Sequence, residues 1–438
     1  MWQTIVNAFK IKEVRKKILI TIALIFVYRL GCYIPVPGIT SFNGLENYTF
    51  LQIMSGVSGG ALQYGTLFAM GIGPYINASI IIQLLTYGIP ALERLSKQGE
   101  EGRRRINTYT RILTLVLAVA QAIGILVAFR DSIQFGYLFG TEGFLKALSY
   151  IFLVLVYTAG AAFTMWLGER ITDYGVSNGI SMLIFAGILS TAGTAIVRQF
   201  SLLGSTDSAA RATAAWSLIG FVVIAILIFG AIVTVESAER KIPVQYAKQV
   251  KGRKMYGGQS THIPIKVNSS GVMPLIFAFA ILSFPDLVMN LFGLSKDGSN
   301  SFYAWWAEWM GTGSYLYTVV LCLFILFFSY FYNQMQFNPD DISKSIQSNG
   351  GFIPGTRPGK PTADYLKKVS NRITLFGAIY LAIVALVPSI LFRIISPDGT
   401  LVNVFSATGL LIVVSVALEF DQALTSQIMM KNYKGFLK

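Results

Sequence analysis

The sequence predicts an all-α polytopic membrane protein of about ten spanning helices, and three observations predict it. Of its 438 residues, 54% are hydrophobic and only 13% are charged, about half the charged share of a soluble domain. Mean hydropathy is +0.59. Apolar runs of about 17–25 residues, long enough to cross a bilayer, recur along the whole chain. Basic residues concentrate on alternate connections between those runs. Such a chain cannot solvate its own surface, so lipid must be part of its solvent. The unbroken runs also exclude a β-barrel, whose strands alternate apolar and polar residues.

The runs lie at about 18–35, 67–88, 112–129, 147–168, 178–197, 215–235, 268–285, 315–332, 373–392 and 402–418. The first imitates a signal peptide in its basic start. No small-residue cleavage site follows, and "YRLGCYIPVPG" prolongs it, so it reads as a retained helix. The second is irregular. In "GIGPYINASIIIQLL" (71–85), Pro74 removes a backbone donor and Gly71 and Gly73 loosen the same point. This predicts a broken helix: a short external half-helix over about 61–69, then a span from Pro74. Ile72, Ile76 and Ile80 are four apart and share one helical face. Ordinary bundle packing would explain them, but Asn77 and Gln83 beside them need partners within the membrane, as do Gln121 and Asn268 in other runs. Together they describe a semi-polar interior with an apolar constriction, which resists water and ions by dewetting.

Orientation follows from Lys and Arg. The outer connections hold Arg130, Lys146, Arg198, Arg211, Lys296 and Arg393, and Arg29 lies within the first run. With the N-terminus and C-terminus placed inside, all other members of the set of 35 basic residues fall on the inner side. Ten runs divide five and five, at about 1–205 and 206–438, and an odd number per half inverts one half against the other. Three connections are long: 36–66 outside, rich in Gly and Ser, and 236–267 and 333–372 inside and basic. An outer stretch at 302–310 carries Trp305, Trp306 and Trp309, suited to anchoring at the membrane interface.

No engine is visible. "GTRPGKP" (355–361) lacks the spacing and hydroxyl of a phosphate-binding loop, and there is no H-E-x-x-H. His262 is the only histidine and reads as a loop residue; Cys32 and Cys322 both fall in runs and imply neither a disulfide framework nor a metal site. No catalytic residue, cofactor or metal is expected. Arg29 is the only ionisable group well inside a run, with Asp286 just beyond the seventh. Ion-coupled transport relies on intramembrane acids or histidines. Their scarcity favours a passive conduit driven by a partner. The rival reading is a secondary transporter for a small solute, which would share the inverted halves and broken helices.

Five segments carry a resemblance. "FAMGIGPYINASIIIQLL", "MWLGERITDYGVSNGIS", "RKIPVQYAKQV" with "GGQSTHIPIKVNSSGVMPLIFA", "NPDDISKSIQSNGGFIPGTRPGKPTADYL" and "TGLLIVVSVAL" closely resemble, in order, the SecY family of bacterial protein-conducting channels. "FSATGLL" (405–411) and "EFDQALTSQ" (419–427) depart from that family's usual pattern. The resemblance implies two five-helix halves around an hourglass pore in the bacterial plasma membrane. It implies a waist of Ile72, Ile76, Ile180, Ile184, Ile276 and Ile412, with Met273 and Asn178 close by. It implies a plug over about 55–69, including Ser55, Gly56, Val57, Gly59, Gly60, Ala61, Leu62 and Gly65. A lateral gate would run between the second and third spans on one side and the seventh and eighth on the other, with Gln83, Gln121 and Asn268 at its polar positions. Arg357 would meet the SecA motor, and Arg253 and Lys254 would meet SecA or ribosomal RNA. The partners implied are the small subunits SecE and SecG, the SecA ATPase, the ribosome and its nascent chain, secretory signal peptides and phospholipid.

Overall fold

A computed structural model describes residues 2–435 except 43–48, 136–137, 141, 205–207, 247–248, 252–253, 257–259, 270, 292–304, 307, 311–313 and 396–406. Arg253 therefore lies outside the described residues. Among the described residues, ten helices overlap the ten expected runs: α2 (Lys12–Gly31), α4 (Gly73–Gly88), α6 (Glu100–Ala128), α7 (Gly143–Tyr174), α8 (Gly179–Leu203), α9 (Ser208–Glu236), α10 (Met273–Leu291), α11 (Tyr315–Gln336), α13 (Lys360–Ile395) and α14 (Ala407–Gly435). Between or before them stand α1 (Trp2–Lys10), α3 (Thr49–Ser58), α5 (Pro90–Ser96) and α12 (Pro339–Ser348). Among the described residues, α6, α7, α9, α11, α13 and α14 are each long and apolar enough to cross a membrane, and α4 with α5 makes a seventh, bent by 105°. The bend follows from Pro90, which holds Ile89 in extended backbone (φ −108°, ψ 113°).

Most helices outrun their apolar stretch. α6 begins 12 residues before the predicted run because charged turns stabilise the extension: Arg104 pairs with Glu100 at 2.9 Å and Arg105 with Glu101 at 2.8 Å, both four residues apart. The extensions carry acids with them. Glu169 on α7 pairs with Arg111 of α6 at 2.7 Å, and Glu236 closes the apolar span of α9. The helices are therefore less bare of ionisable groups than their apolar runs imply.

The broken-helix expectation needs two corrections. Pro74 does not interrupt a helix; it lies in the first turn of α4, where a missing N–H costs nothing. The short helix precedes the break at Thr49–Ser58, and 61–69 forms a succession of turns instead. Gly59 (φ 72°) and Gly60 (φ 83°) adopt left-handed backbone and end α3. The turns are held by Thr66 Oγ1 donating to Ala61 O (3.1 Å), Leu67 N to Ile34 O (2.9 Å) and Thr164 Oγ1 of α7 to Gly71 O (2.8 Å).

The connection at 236–267 is not an irregular loop. It folds as β1 (Glu239–Tyr246), β2 (Gln249–Lys251), β3 (Lys254–Tyr256) and β4 (Ser260–Lys266), with β5 (Gly351–Phe352) from the other long connection. β1 pairs antiparallel with both β4 and β5, and β2–β3 is the hairpin tip. Ile242, Val244 and Ile265 point one way and pack with Ile346 of α12, Ile353 and Leu366 of α13 into a small separate core. His262 is exposed on β4.

In the bundle, α7 packs against α2, α6 and α8, and α4 against α6. Likewise α11 packs against α10 and α13, and α14 against α13 and α9. The two groups meet where α6 touches α10 and where α8 touches α9 and α14, while α3 touches both α8 and α10.

Candidate functional site

The expected waist residues come from four helices. Ile72 caps the start of α4 and is 2% exposed, with Ile76 half-buried one turn later. Ile180 and Ile184 are likewise one turn apart on α8, whose first turn is capped by Asn178: its Oδ1 accepts from Ile180 N at 3.0 Å and Ser181 N at 3.4 Å. Ile412 is buried on α14 and Ile276 half-buried on α10. Ile72, Ile184 and Ile412 share one apolar cluster, with Ile76 and Ile180 packed on it. Ile276 belongs to the neighbouring cluster of α10, α11, α13 and α14. Ile76 and Val272 touch both clusters and join them. Five of the six are thus brought together directly, and the sixth through Ile76. Met273 packs with Ile276 on the second cluster.

One of the expected plug residues packs into the cluster that holds these isoleucines. Ala61, 1% exposed, is part of the same cluster as Ile72, Ile184 and Ile412, and Leu62 is fully buried beside Met54 and Leu51. Ser55 and Gly56 close α3; Gly56 O accepts from Thr191 Oγ1 of α8 at 3.2 Å. Gly65 is buried, and its carbonyl accepts from Tyr157 Oη at 3.4 Å. Val57 lies within α3, but its side chain falls outside the described residues.

The gate amides are placed on α4, α6 and the approach to α10. Gln121 is 3% exposed, and among the described residues neither of its amide atoms has a hydrogen-bond partner; Gln83 Oε1 is also buried without one. Asn268 donates to Glu236 Oε1 at 2.6 Å and to Gly271 O at 3.2 Å. Glu236 is the residue sequence reasoning missed. The only signal was an acid at the end of an apolar run, and its partner lies 32 positions away. Aromatic contacts also cross between the expected gate helices, with Tyr87 of α4 edge-on to Phe331 of α11 at 5.2 Å.

Among the basic candidates, Arg357 is exposed on the turn after β5. Its carbonyl accepts from Thr362 Oγ1 at 2.7 Å, and Gly355 (φ 87°) and Gly359 (φ 93°) shape that turn. Lys254 opens β3 and pairs in register with Lys251 across the hairpin tip. Among the described residues no group of His, Cys, Asp and Glu could hold a metal ion.

Long apolar helices packed around shared aliphatic clusters define a polytopic α-helical membrane protein. The fold agrees with a solved structure of a protein conducting channel (TM-score 0.63, 19% identity, 94% of this chain and 92% of that one). It also agrees with Sec61 from a canine ribosome-channel complex (TM-score 0.62, 17% identity, 94% and 92%). The SecY family model matches residues 66–420. Protein translocase subunit SecY of Streptomyces galbus is 41% identical over 447 residues, covering 99% of both chains; that of Mycobacterium tuberculosis is 39% identical over 461 residues and the full length of both. The chain belongs to the SecY family, and its function is that of the channel-forming subunit of a protein translocase. The small-solute transporter reading is set aside by that membership.

Proposed function

We propose that Ile72, Ile76, Ile180, Ile184, Ile276 and Ile412 form the seal through which unfolded secretory polypeptides pass, in a channel made of halves 1–205 and 206–438. The observation that carries this is the meeting of isoleucines from α4, α8 and α14 in one cluster that also contains Ala61 of the segment after α3. An aliphatic ring makes no directional bonds. It can therefore close round varied side chains while excluding ions by dewetting. The segment from Ser55 to about residue 69 acts as the plug, with α3 leading into it.

The lateral gate opens where α4 and α6 face α10 and α11, beside Gln83, Gln121 and Asn268. Opening lets an apolar cargo segment enter lipid, favourable by roughly 0.3–0.6 kcal/mol per large apolar residue. The basic connections at 236–267 and 333–372 face the cytoplasm, with both termini, in the bacterial plasma membrane. Arg253 and Lys254 of the 236–267 connection, and the Arg357 turn, present cations there to SecA or to ribosomal RNA phosphates. A ribosome partner is supported by the solved likenesses, which include Sec61 in a canine ribosome-channel complex and a yeast Ssh1 complex bound to a ribosome. SecE, SecG, signal peptides and phospholipid complete the assembly.

The test is crosslinking. Single cysteines replacing Ile76 or Ile276 should form adducts with a secretory chain stalled in transit, while a cysteine at lipid-exposed Phe376 should not. Adducts at Phe376 alone would place the path elsewhere.

A further inference from the structure

Arg29 is a charge within the first span for which the conduit itself has no use. Its guanidinium, on α2, donates from Nη2 to Ser190 Oγ on α8 and lies 5.7 Å over the ring of Tyr33. Nη1 is buried and has no hydrogen-bond partner among the described residues. That nitrogen lies against Gly59: a Cβ built on the glycine would collide with it, and would come within 3.0 Å of Gly187 O on α8. Gly59 is the residue that directly follows α3. The cation thus stands at the C-terminal end of α3, where the helix's last carbonyls gather partial negative charge. Thr191, next to Ser190, holds the same end through Gly56 O. A guanidinium at membrane depth is costly unless polar groups surround it. Here they are a hydroxyl, a ring face and a helix terminus.

We infer that Arg29 is a positioning residue that latches α3, and with it the plug, in the closed channel. The latch rests on the plug reading given above. Attraction between the guanidinium and the carbonyl end of α3 is present while the helix is seated and is lost when it withdraws, so it favours the closed state only. Gly59 is required at the contact because any side chain would displace the guanidinium. Thr191 supplies the second, uncharged point of attachment.

Full-length channel reconstituted into liposomes gives the test through its resting ion leak. Arg29→Gln should raise the leak roughly five- to thirty-fold, the factor a charge at a partly buried helix end contributes to a two-state equilibrium. Arg29→Lys, which keeps the charge, should raise it less. In a channel lacking residues 55–65, Arg29→Gln should add nothing. An unchanged leak in Arg29→Gln, with a raised leak in the deletion, overturns the latch and leaves the plug standing. An unchanged leak in the deletion overturns the plug reading and the latch together. An equal rise with and without 55–65 shows that Arg29 acts through packing of α2 on α8, which also overturns the latch. Should the shortened chain fail to reconstitute, Ser190→Ala decides. It removes the tie between α2 and α8 but keeps the charge, so the latch requires its leak to stay below that of Arg29→Gln.

Discussion

Gln121 sits on α6, a helix that packs on both α7 and α10, with both amide atoms buried and, among the described residues, unbonded. A buried amide without a partner costs about 1–3 kcal/mol. In the proposed gate, water or a cargo backbone reaching the amide on opening would relieve that cost. Gln121→Leu should therefore make gate opening rarer by about tenfold, read as slower insertion of an apolar cargo segment and stronger crosslinking between α6 and α10. Unaltered insertion would show that Gln121 is not strained. Asn268 differs because Glu236 and Gly271 already satisfy its amide nitrogen. Of the three expected gate amides, Asn268 is thus satisfied within its own group of helices, while Gln83 and Gln121 keep buried atoms without a partner among the described residues.

Among the elements, the β-ribbon has its own core, separate from those of the bundle. Ile265→Asp would bury a carboxylate among Ile242, Val244 and Leu366 and should destabilise the ribbon by roughly 3–5 kcal/mol. Faster proteolysis within 236–267, with membrane insertion intact, is the expected outcome. Arg357→Glu should leave the digestion pattern unchanged while lowering SecA-driven secretion about tenfold or more; unimpaired secretion would remove Arg357 from the docking surface. The ribbon also marks a limit of what sequence reveals. "ERKIPVQY" alternates only at Ile242 and Val244 amid charges, and its partner strands lie across the hairpin and about a hundred residues away, so no local pattern announces it. The long helices were legible because hydrocarbon demands long apolar runs. Their ends were not, because Glu100 to Arg105 pair with one another along α6 and carry the helix on past its apolar part. The short helix was misplaced for a related reason. Two glycines with positive φ stop it at Ser58, and glycine in sequence does not reveal which hand it will take.

At the scale of the molecule, two groups of helices touch through α6–α10, α8–α9 and α8–α14, and Ile76 belongs to the apolar clusters on both sides. A seal built this way should fail when its bridging members turn polar. Ile76→Ser combined with Ile276→Ser should raise resting ion conductance by about tenfold, since hydroxyls anchor water where a dry ring had expelled it. Conductance at the wild-type level would mean that the six side chains do not line the path.

The waist has a consequence for energetics. Ile72 and Ile76, like Ile180 and Ile184, are separated by one helical turn, about 5.4 Å. The insulating septum of the proposed channel is accordingly a thin diaphragm rather than a bilayer-deep plug of oil. Nearly all of the transmembrane voltage then drops across that diaphragm. A charged residue threading through would meet about 2.3 kcal/mol per 100 mV in a single short step, so the membrane's field would act on the cargo almost one residue at a time.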